Sequence, residues 1–344
     1  MKVSIILACR NEQAHIEACV RSLLDQEPPA GGFEIVACDG HSTDGTREIL
    51  NQLSVQHPIL RVLDNPRRIV STGLNAGIAA ARGRIIVRAD AHTTYAPDYV
   101  RQCVAVLEET GADSVGGPWR AVGQSSVSRA IAHAFHSPFG SGGARAHNLT
   151  YEGPVDTVYL GCWPRELFAR LGGFDEELVR NQDDEFSLRI VRSGGTIWQS
   201  VRILSTYEPR RSLRDLLRQY MQYGYWKVRV IQKHRIPASW RHLVPPLFVA
   251  TLIVLAAASV LSATARSAAA VVFGVYGFAV LAAALVTART AGWRPLPVLP
   301  VVFLCLHVGY GFGFLRGILD FVIRRRGAAA DMSSITRRVS APPV

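Results

Sequence analysis

An aspartate and a histidine two positions apart, Asp90 and His92, close the run Arg84-Ile85-Ile86-Val87-Arg88-Ala89. Side chains two apart on an extended backbone point the same way. If residues 90 to 92 continue the strand, a carboxylate and an imidazole face one point, the arrangement that holds a divalent cation, and such a cation grips a diphosphate. Asp-x-His after a strand is also ordinary turn chemistry, so the elements around it must decide.

Those elements form a regular series. Val3 to Cys9 is an apolar run too short for a helix and reads as a buried parallel strand. Ile16, Val20, Leu23 and Leu24 recur at helical spacing, and Phe33 to Cys38 is a second strand running into the turn residues Asp39 to Thr46. A helix carrying Ile49, Leu50 and Leu53 follows, then a strand over 59–63, a helix over 72–81 and the strand over 84–89. This alternation predicts a doubly wound, mostly parallel α/β sheet. Ligands of such sheets sit beyond the carboxyl ends of the strands, so Asp39 and Asp90 are expected at one edge. A helix over 97–109 and a strand near 113–116 come next. From Gly116 to Asn148 periodicity is weak; the stretch reads as partly a mobile loop over an acceptor site, with a short helix near 127–135 and His133, His136 and His147 as solvated loop residues.

The chain has 344 residues and a net charge of +11, but its cations cluster at 210–241 and 316–338, either side of an apolar third almost without acids. That placement favours anionic lipid headgroups over nucleic acid. Three segments, 243–262, 268–288 and 297–319, are long and apolar enough to cross a bilayer. Three crossings from a cytoplasmic start would put Arg324-Arg325-Arg326 outside, against the positive-inside tendency, unless the last segment is re-entrant or interfacial. Residues 212–231 combine an apolar stripe, cations and aromatics, as an interfacial helix does, though a core helix of the preceding domain shares the pattern. Six unpatterned cysteines and the lack of a signal-peptide pattern fit reduced thiols in the cytoplasm.

Several ordered motifs carry a resemblance. Val3 to Glu12, Cys38-Asp39-Gly40-His41-Ser42-Thr43-Asp44-Gly45-Thr46, Leu74-Asn75-Ala76-Gly77, Ala81-Arg82-Gly83 and Asp90-Ala91-His92 resemble the nucleotide-sugar half of family 2 glycosyltransferases of the GT-A fold, most closely the succinoglycan-biosynthesis glucosyltransferase branch. Leu160 to Phe168, Leu171 to Glu176 and Asn181 to Ile190 are similar to the acceptor half. The resemblance implies that Ala8, Arg10, Glu12, Asp39, Asn75 and Asp90 bind the nucleotide sugar, that Asp90 and His92 hold a metal, and that Asp183 is the general base of a single inverting displacement. It further implies acceptor contacts from Trp163, Gly173, Phe174, Asp184, Gln222 and Trp226, Asp184 also favouring a helix N-terminus through the dipole. Three positions depart from the pattern: Leu74 for Arg, Gln182 for Glu and His92 for the last Asp. An imidazole ligand suits manganese better than magnesium, so Mn²⁺ is expected to serve better than Mg²⁺.

The expected organisation is a cytoplasmic GT-A domain over 1–210 (nucleotide-sugar half 1–115, acceptor half 116–210), an amphipathic interfacial helix over 211–241, two or three transmembrane helices within 242–322 and a basic tail over 323–344. The expected function is metal-dependent hexosyl transfer, as glucose from UDP-glucose, to a lipid-linked acceptor at the inner membrane during cell-surface polysaccharide synthesis. Two rivals remain: transfer directly to polyprenyl phosphate held by Arg210, Arg211 and Arg214, and a non-catalytic sugar-binding scaffold.

Overall fold

The computed structural model describes residues 2–334, so the end of the basic tail lies outside the described residues. Within these residues the chain divides into two units, one of residues 2–120 and 148–207, the other of residues 121–147 and 208–333.

The first unit is built on an eight-stranded sheet. Its opening half alternates as expected: β1 (Val3–Cys9), α1 (Ile16–Leu24), β2 (Phe33–Asp39), α2 (Thr46–Gln56), β3 (Leu60–Asp64), α3 (Val70–Ala80) and β4 (Ile85–Asp90). There follow β5 (Thr93–Tyr95), α4 (Tyr99–Thr110), β6 (Ser114–Gly117), and after residue 148 β7 (Gly153–Val155), β8 (Tyr159–Pro164), α7 (Arg165–Leu171), α8 (Gln182–Arg192), β9 (Ile197–Gln199) and β10 (Ser205–Tyr207). The strand order is β3-β2-β1-β4-β8-β6-β9-β7, with β5 and β10 forming a separate antiparallel pair. The first four strands are parallel, whereas β8 runs antiparallel between β4 and β6, which makes the sheet mixed.

Both faces of β1 are buried, which is why its sequence is continuously apolar rather than alternating. Val3, Ile5 and Leu7 pack with α1 and α4 on one face, and Ile6 and Ala8 pack with α3, α7 and α8 on the other. Each such fully buried Ile or Leu contributes about 1.5–3 kcal/mol. The same alternation holds in β4: Ile85, Val87 and Ala89 join the first core and Ile86 the second. Arg88 and Asp90 must therefore follow Ile86 to the α8 side.

The second unit corrects two expectations. The short helix expected near 127–135 is present as α5 (Ser126–His136), but with α6 (Pro138–Ser141) it belongs with the apolar helices instead of standing in a mobile loop. His133, His136 and His147 are half-buried rather than solvated, and His136 accepts from the Ala121 amide at 3.2 Å. The remainder is α9 (Leu213–His234), α10 (Val244–Ser259), α11 (Ala263–Ala291), α12 (Leu299–Gly317) with a π-helical continuation Ile318–Ile323, and α13 (Ala330–Ser333). Three spans, Trp240–Ser259, Ala263–Ala291 and Leu299–Ile323, are long and apolar enough to cross a membrane. All six cysteines are free and buried.

Candidate active site

The parallel register brings the two expected aspartates together. At the end of β1, Cys9 pairs with Asp39 on one side and Ala8 with Asp90 on the other. The Asp39 carboxylate is only 2 % exposed and accepts from the Ser42 amide at 3.2 Å and its hydroxyl at 2.5 Å, with the Arg47 guanidinium 3.7 Å away. The loop after β1 is tied to the loop after β2: the Asn11, Glu12 and Gln13 amides donate to Ser42 Oγ, Thr46 Oγ1 and Asp44 Oδ2. Gly40 lies against the Arg10 side chain, where a Cβ would come within 3.1 Å of it. Ala8, Arg10, Glu12 and Asp39 thus border one surface at the strand ends.

Arg88 is the residue that sequence reasoning missed. It is buried, a place where a charge is tolerated only when paired. Its Nη2 donates to Asp90 Oδ1 at 3.1 Å, and its Nη1 donates to Asp183 Oδ2 at 3.1 Å. Burial acts to lower the guanidinium pKa, but the Asp90 and Asp183 carboxylates outweigh it and raise it above the usual arginine value. Asp183 stands in the first turn of α8, its side chain 46 % exposed, and its Oδ1 also accepts from the Asp184 amide at 2.9 Å. One guanidinium therefore holds the acid of the strand end and the acid of the helix start. The signal was an arginine two residues before Asp90, on the strand face shared with α8.

His92 departs from the expected geometry. The chain turns at Ala91 and His92 instead of continuing the strand, because residues 93–95 reverse to pair with β10. The imidazole Nδ1 lies 3.6 Å from Glu12 Oε1, and the ring meets Tyr207 edge-on at 5.2 Å. Tyr207 in turn packs on Trp119 at 5.1 Å, and Trp119 stacks on Tyr159 at 5.8 Å. This aromatic group beside Asp90 was also missed, its members being scattered over 119–207. Among the described residues no three His, Cys, Asp or Glu side chains gather to hold an ion. A metal held by the expected Asp90 carboxylate and His92 imidazole would therefore need phosphate and water to complete its ligands. That donor set fits an ion bound through one or two side chains plus substrate phosphates.

Other expected contacts go elsewhere. The Asn75 Nδ2 donates to the Phe174 carbonyl at 2.8 Å and to Glu176 Oε1 at 2.9 Å, while its Oδ1 accepts from the Phe174 amide at 2.8 Å. Both amide hydrogens are used, so Asn75 clamps α3 to the turn before α8 and is not presented to a nucleotide. Trp163 and Phe174 are buried, packing edge-on at 5.9 Å with Phe168 and Phe186 in the second core. They are large apolar side chains on the helix-covered face of the sheet, and burial takes them from any acceptor. A Cβ on Gly173 would approach Asn75 Oδ1 to 2.5 Å, so this glycine serves the same clamp. Gln182 is buried, and Glu185 pairs with Arg189 at 2.9 Å, whose Nη2 holds the Gly173 carbonyl at 2.7 Å. Asp184 is half-buried at the start of α8. Gln222 and Trp226 belong to the second unit, where both are buried in α9; the Trp226 indole donates to the Met332 carbonyl at 2.9 Å.

Comparisons with known proteins bear on the family and the fold. Residues 4–172 match the family described as Glycosyl transferase family 2. The chain is 34 % identical over 326 residues to the succinoglycan biosynthesis protein ExoA of Rhizobium meliloti (strain 1021), covering 94 % of this chain and 96 % of that one. It is 25 % identical over 332 residues to a dolichyl N-acetyl-alpha-D-glucosaminyl phosphate 3-beta-D-2,3-diacetamido-2,3-dideoxy-beta-D-glucuronosyltransferase of Methanococcus voltae, covering 93 % and 99 %. In fold it is similar to the mannosyltransferase PcManGT of Pyrobaculum calidifontis, solved with GDP-Man and Mn²⁺, at a TM-score of 0.59 and 20 % identity over 90 % of this chain and 86 % of that one.

Proposed function

Because this chain belongs to glycosyltransferase family 2, we propose that it is a membrane-anchored, inverting hexosyltransferase that moves a sugar, as glucose from UDP-glucose, onto a lipid-linked saccharide in cell-surface polysaccharide synthesis. The observation that carries the catalytic reading is the bridge from Asp90 through Arg88 to Asp183, which joins a donor-side acid to an acceptor-side acid at one point.

In this reading the loops after β1 and β2 hold the nucleoside, with Ala8, Arg10, Glu12 and Asp39 on its path. Asp90 and His92 would hold a divalent ion, which supplies a Lewis acid to the departing diphosphate. Asp183 receives the proton of the acceptor hydroxyl as the new bond from that oxygen to the anomeric carbon forms and the bond from carbon to phosphate oxygen breaks. Arg88 and the Asp184 amide fix the orientation of the Asp183 carboxylate, whose half-exposed side chain leaves lone pairs open to the acceptor. The base acts from the side opposite the leaving group, so an α-linked donor yields a β-linked product.

The lipid-linked acceptor and the inner-membrane location, with the first unit facing the cytoplasm, rest on the three apolar helices and on the relatives named above. The rival transfer to polyprenyl phosphate calls on Arg210, Arg211 and Arg214, but Arg211 is already paired with Glu208 at 2.8 Å. UDP release by membranes carrying the protein, with and without a lipid-linked saccharide, tests the reading. Release dependent on the saccharide supports it, release dependent on polyprenyl phosphate favours the rival, and none under any condition leaves the scaffold.

A further inference from the structure

α9 and α12 lie side by side and run in the same direction. The Cys305 thiol donates to the Leu213 carbonyl at 3.8 Å, Leu217 and Tyr220 lie against Gly309, Met221 against Gly313, and Tyr225 and Val228 against Gly317. Further along, the Arg229 guanidinium lies over the Phe321 ring, 5.7 Å from its centre. A Cβ on Gly313 would collide with the Met221 carbonyl, and one on Gly224 with the Tyr310 carbonyl. The two backbones are in direct contact, an approach that only glycine permits.

This pairing fixes the depth of one helix by the other. α12 is apolar enough to cross a membrane, but α9 accompanies it from residue 213 to 229 and carries Arg214, Arg218, Lys227 and Arg229 over that length. If α12 spanned the bilayer, these four cations would lie in hydrocarbon, where each charge is strongly disfavoured. Burial separates α12 from the other two apolar helices in the same way: half of its apolar window is packed inside the protein, against 11 % and 17 % for α10 and α11. The open apolar residues of α12 and its continuation, Val301, Leu304, Phe312, Leu319, Val322 and Ile323, lie along one side, the pattern of a helix lying in an interface.

α10 and α11 form a hairpin packed at its base and bare towards its tip. In α10 only Pro246 and Val249 are buried, both within the first turns. In α11 the buried residues gather near its end, at Val280, Ala284, Thr287 and Ala288, with Ala269 alone beyond them. Between these bases Ile253, Val254, Leu261, Val271 and Phe273 are open. Arg241, Arg289 and Arg294 stand at the base, on the side that the positive-inside tendency assigns to the cytoplasm.

We propose that only the α10–α11 hairpin enters the membrane, while α9 and α12 lie together at the lipid surface. A hairpin returns the chain to the face it left, so the segments before and after α12 share one face. Arg324-Arg325-Arg326 then stays with the other basic residues, and the conflict that three crossings raise with the charge pattern disappears. This inference rests on the membrane association proposed above.

Trp293→Cys and Ala328→Cys, introduced singly into the full chain, report the face through a membrane-impermeant maleimide; the six native cysteines are buried. Both positions are expected to react in inverted vesicles, and neither in intact cells until permeabilised. Labelling of residue 328 in intact cells while residue 293 stays protected overturns the proposal and restores three crossings. A second variant, Val254→Glu with Phe273→Glu, is expected to leave carbonate-washed membranes for the soluble fraction, and its complete retention overturns the hairpin as the anchor. Release of the unaltered chain by carbonate would remove the membrane reading itself, a result distinct from mislabelling of residue 328.

Discussion

The Arg88 guanidinium donates to the Asp183 carboxylate at 3.1 Å across 95 residues of chain, from the fourth strand of the sheet to the first turn of the helix over 182–192. The same guanidinium holds Asp90. Replacing it with lysine keeps a charge but loses the planar fork that reaches both acids. Arg88→Lys is expected to lower kcat by about 10²-fold through misplacement of Asp183. Asp90 loses its brace as well, so KM for the nucleotide sugar should rise; steady-state kinetics separates the two effects. An unchanged kcat would reduce Arg88 to a structural role.

Asp183→Asn removes the proton acceptor while retaining shape. Turnover is expected to fall roughly 10²- to 10⁴-fold, the usual worth of a positioned base. Donor affinity, read by nucleotide-sugar titration, should stay near that of the unaltered protein. A mild turnover defect would transfer the role to Asp184.

Metal dependence is read by chelation and replacement. Activity should vanish in excess chelator and return better with Mn²⁺ than with Mg²⁺, since imidazole suits the softer ion. His92→Asp is expected to narrow that difference, but it also sets a second carboxylate near Glu12 Oε1, which lies 3.6 Å from the His92 ring nitrogen. The ratio of rates with the two ions, taken within the variant, separates metal preference from any loss of activity that this repulsion causes. Equal rates with the two ions in the unaltered protein would count against His92 as a ligand.

A pH effect on stability should arise at Glu34, away from the site. Burial alone would raise its pKa, but bonds from the Ser4 hydroxyl at 2.7 Å, the Arg82 amide at 2.6 Å and the Arg61 guanidinium at 2.9 Å lower it below the usual glutamate value. A depressed carboxylate pKa means the unfolded chain takes up its proton first. The stabilisation is therefore full above the unfolded value, about 4.3, and is lost as pH falls through the folded one. Thermal midpoints should drop faster on acidification in the unaltered protein than in Glu34→Gln, and the two curves should converge at low pH; parallel curves would remove the effect.

Much was legible in the sequence because its signals are local. Apolar runs at β1, β2 and β4 end in Asp39 and Asp90, and parallel pairing then brings those ends to one edge whatever the rest of the chain does. The ordered motifs pointed to family 2, and the same resemblance singled out Asp183, which stands in the first turn of α8. The helix within 121–147 was legible, but its grouping with the apolar helices and the burial of Trp163 and Phe174 were not, since helix packing and core capture depend on partners distant in sequence.

By itself, then, the sequence determined the parallel half of the sheet, the acids at its edge and the presence of three apolar helices, each a matter of pattern within one continuous stretch of chain. Only the tertiary structure decided that Arg88 links Asp90 to Asp183, that the chain turns at His92, that Asn75 clamps the two halves of the sheet unit together, and that α12 pairs along its length with a cationic helix. The physical reason is common to all four. A buried charge, a reversed strand, an amide clamp and a glycine contact each acquire their energy from a partner many residues away, and local pattern carries no record of that partner.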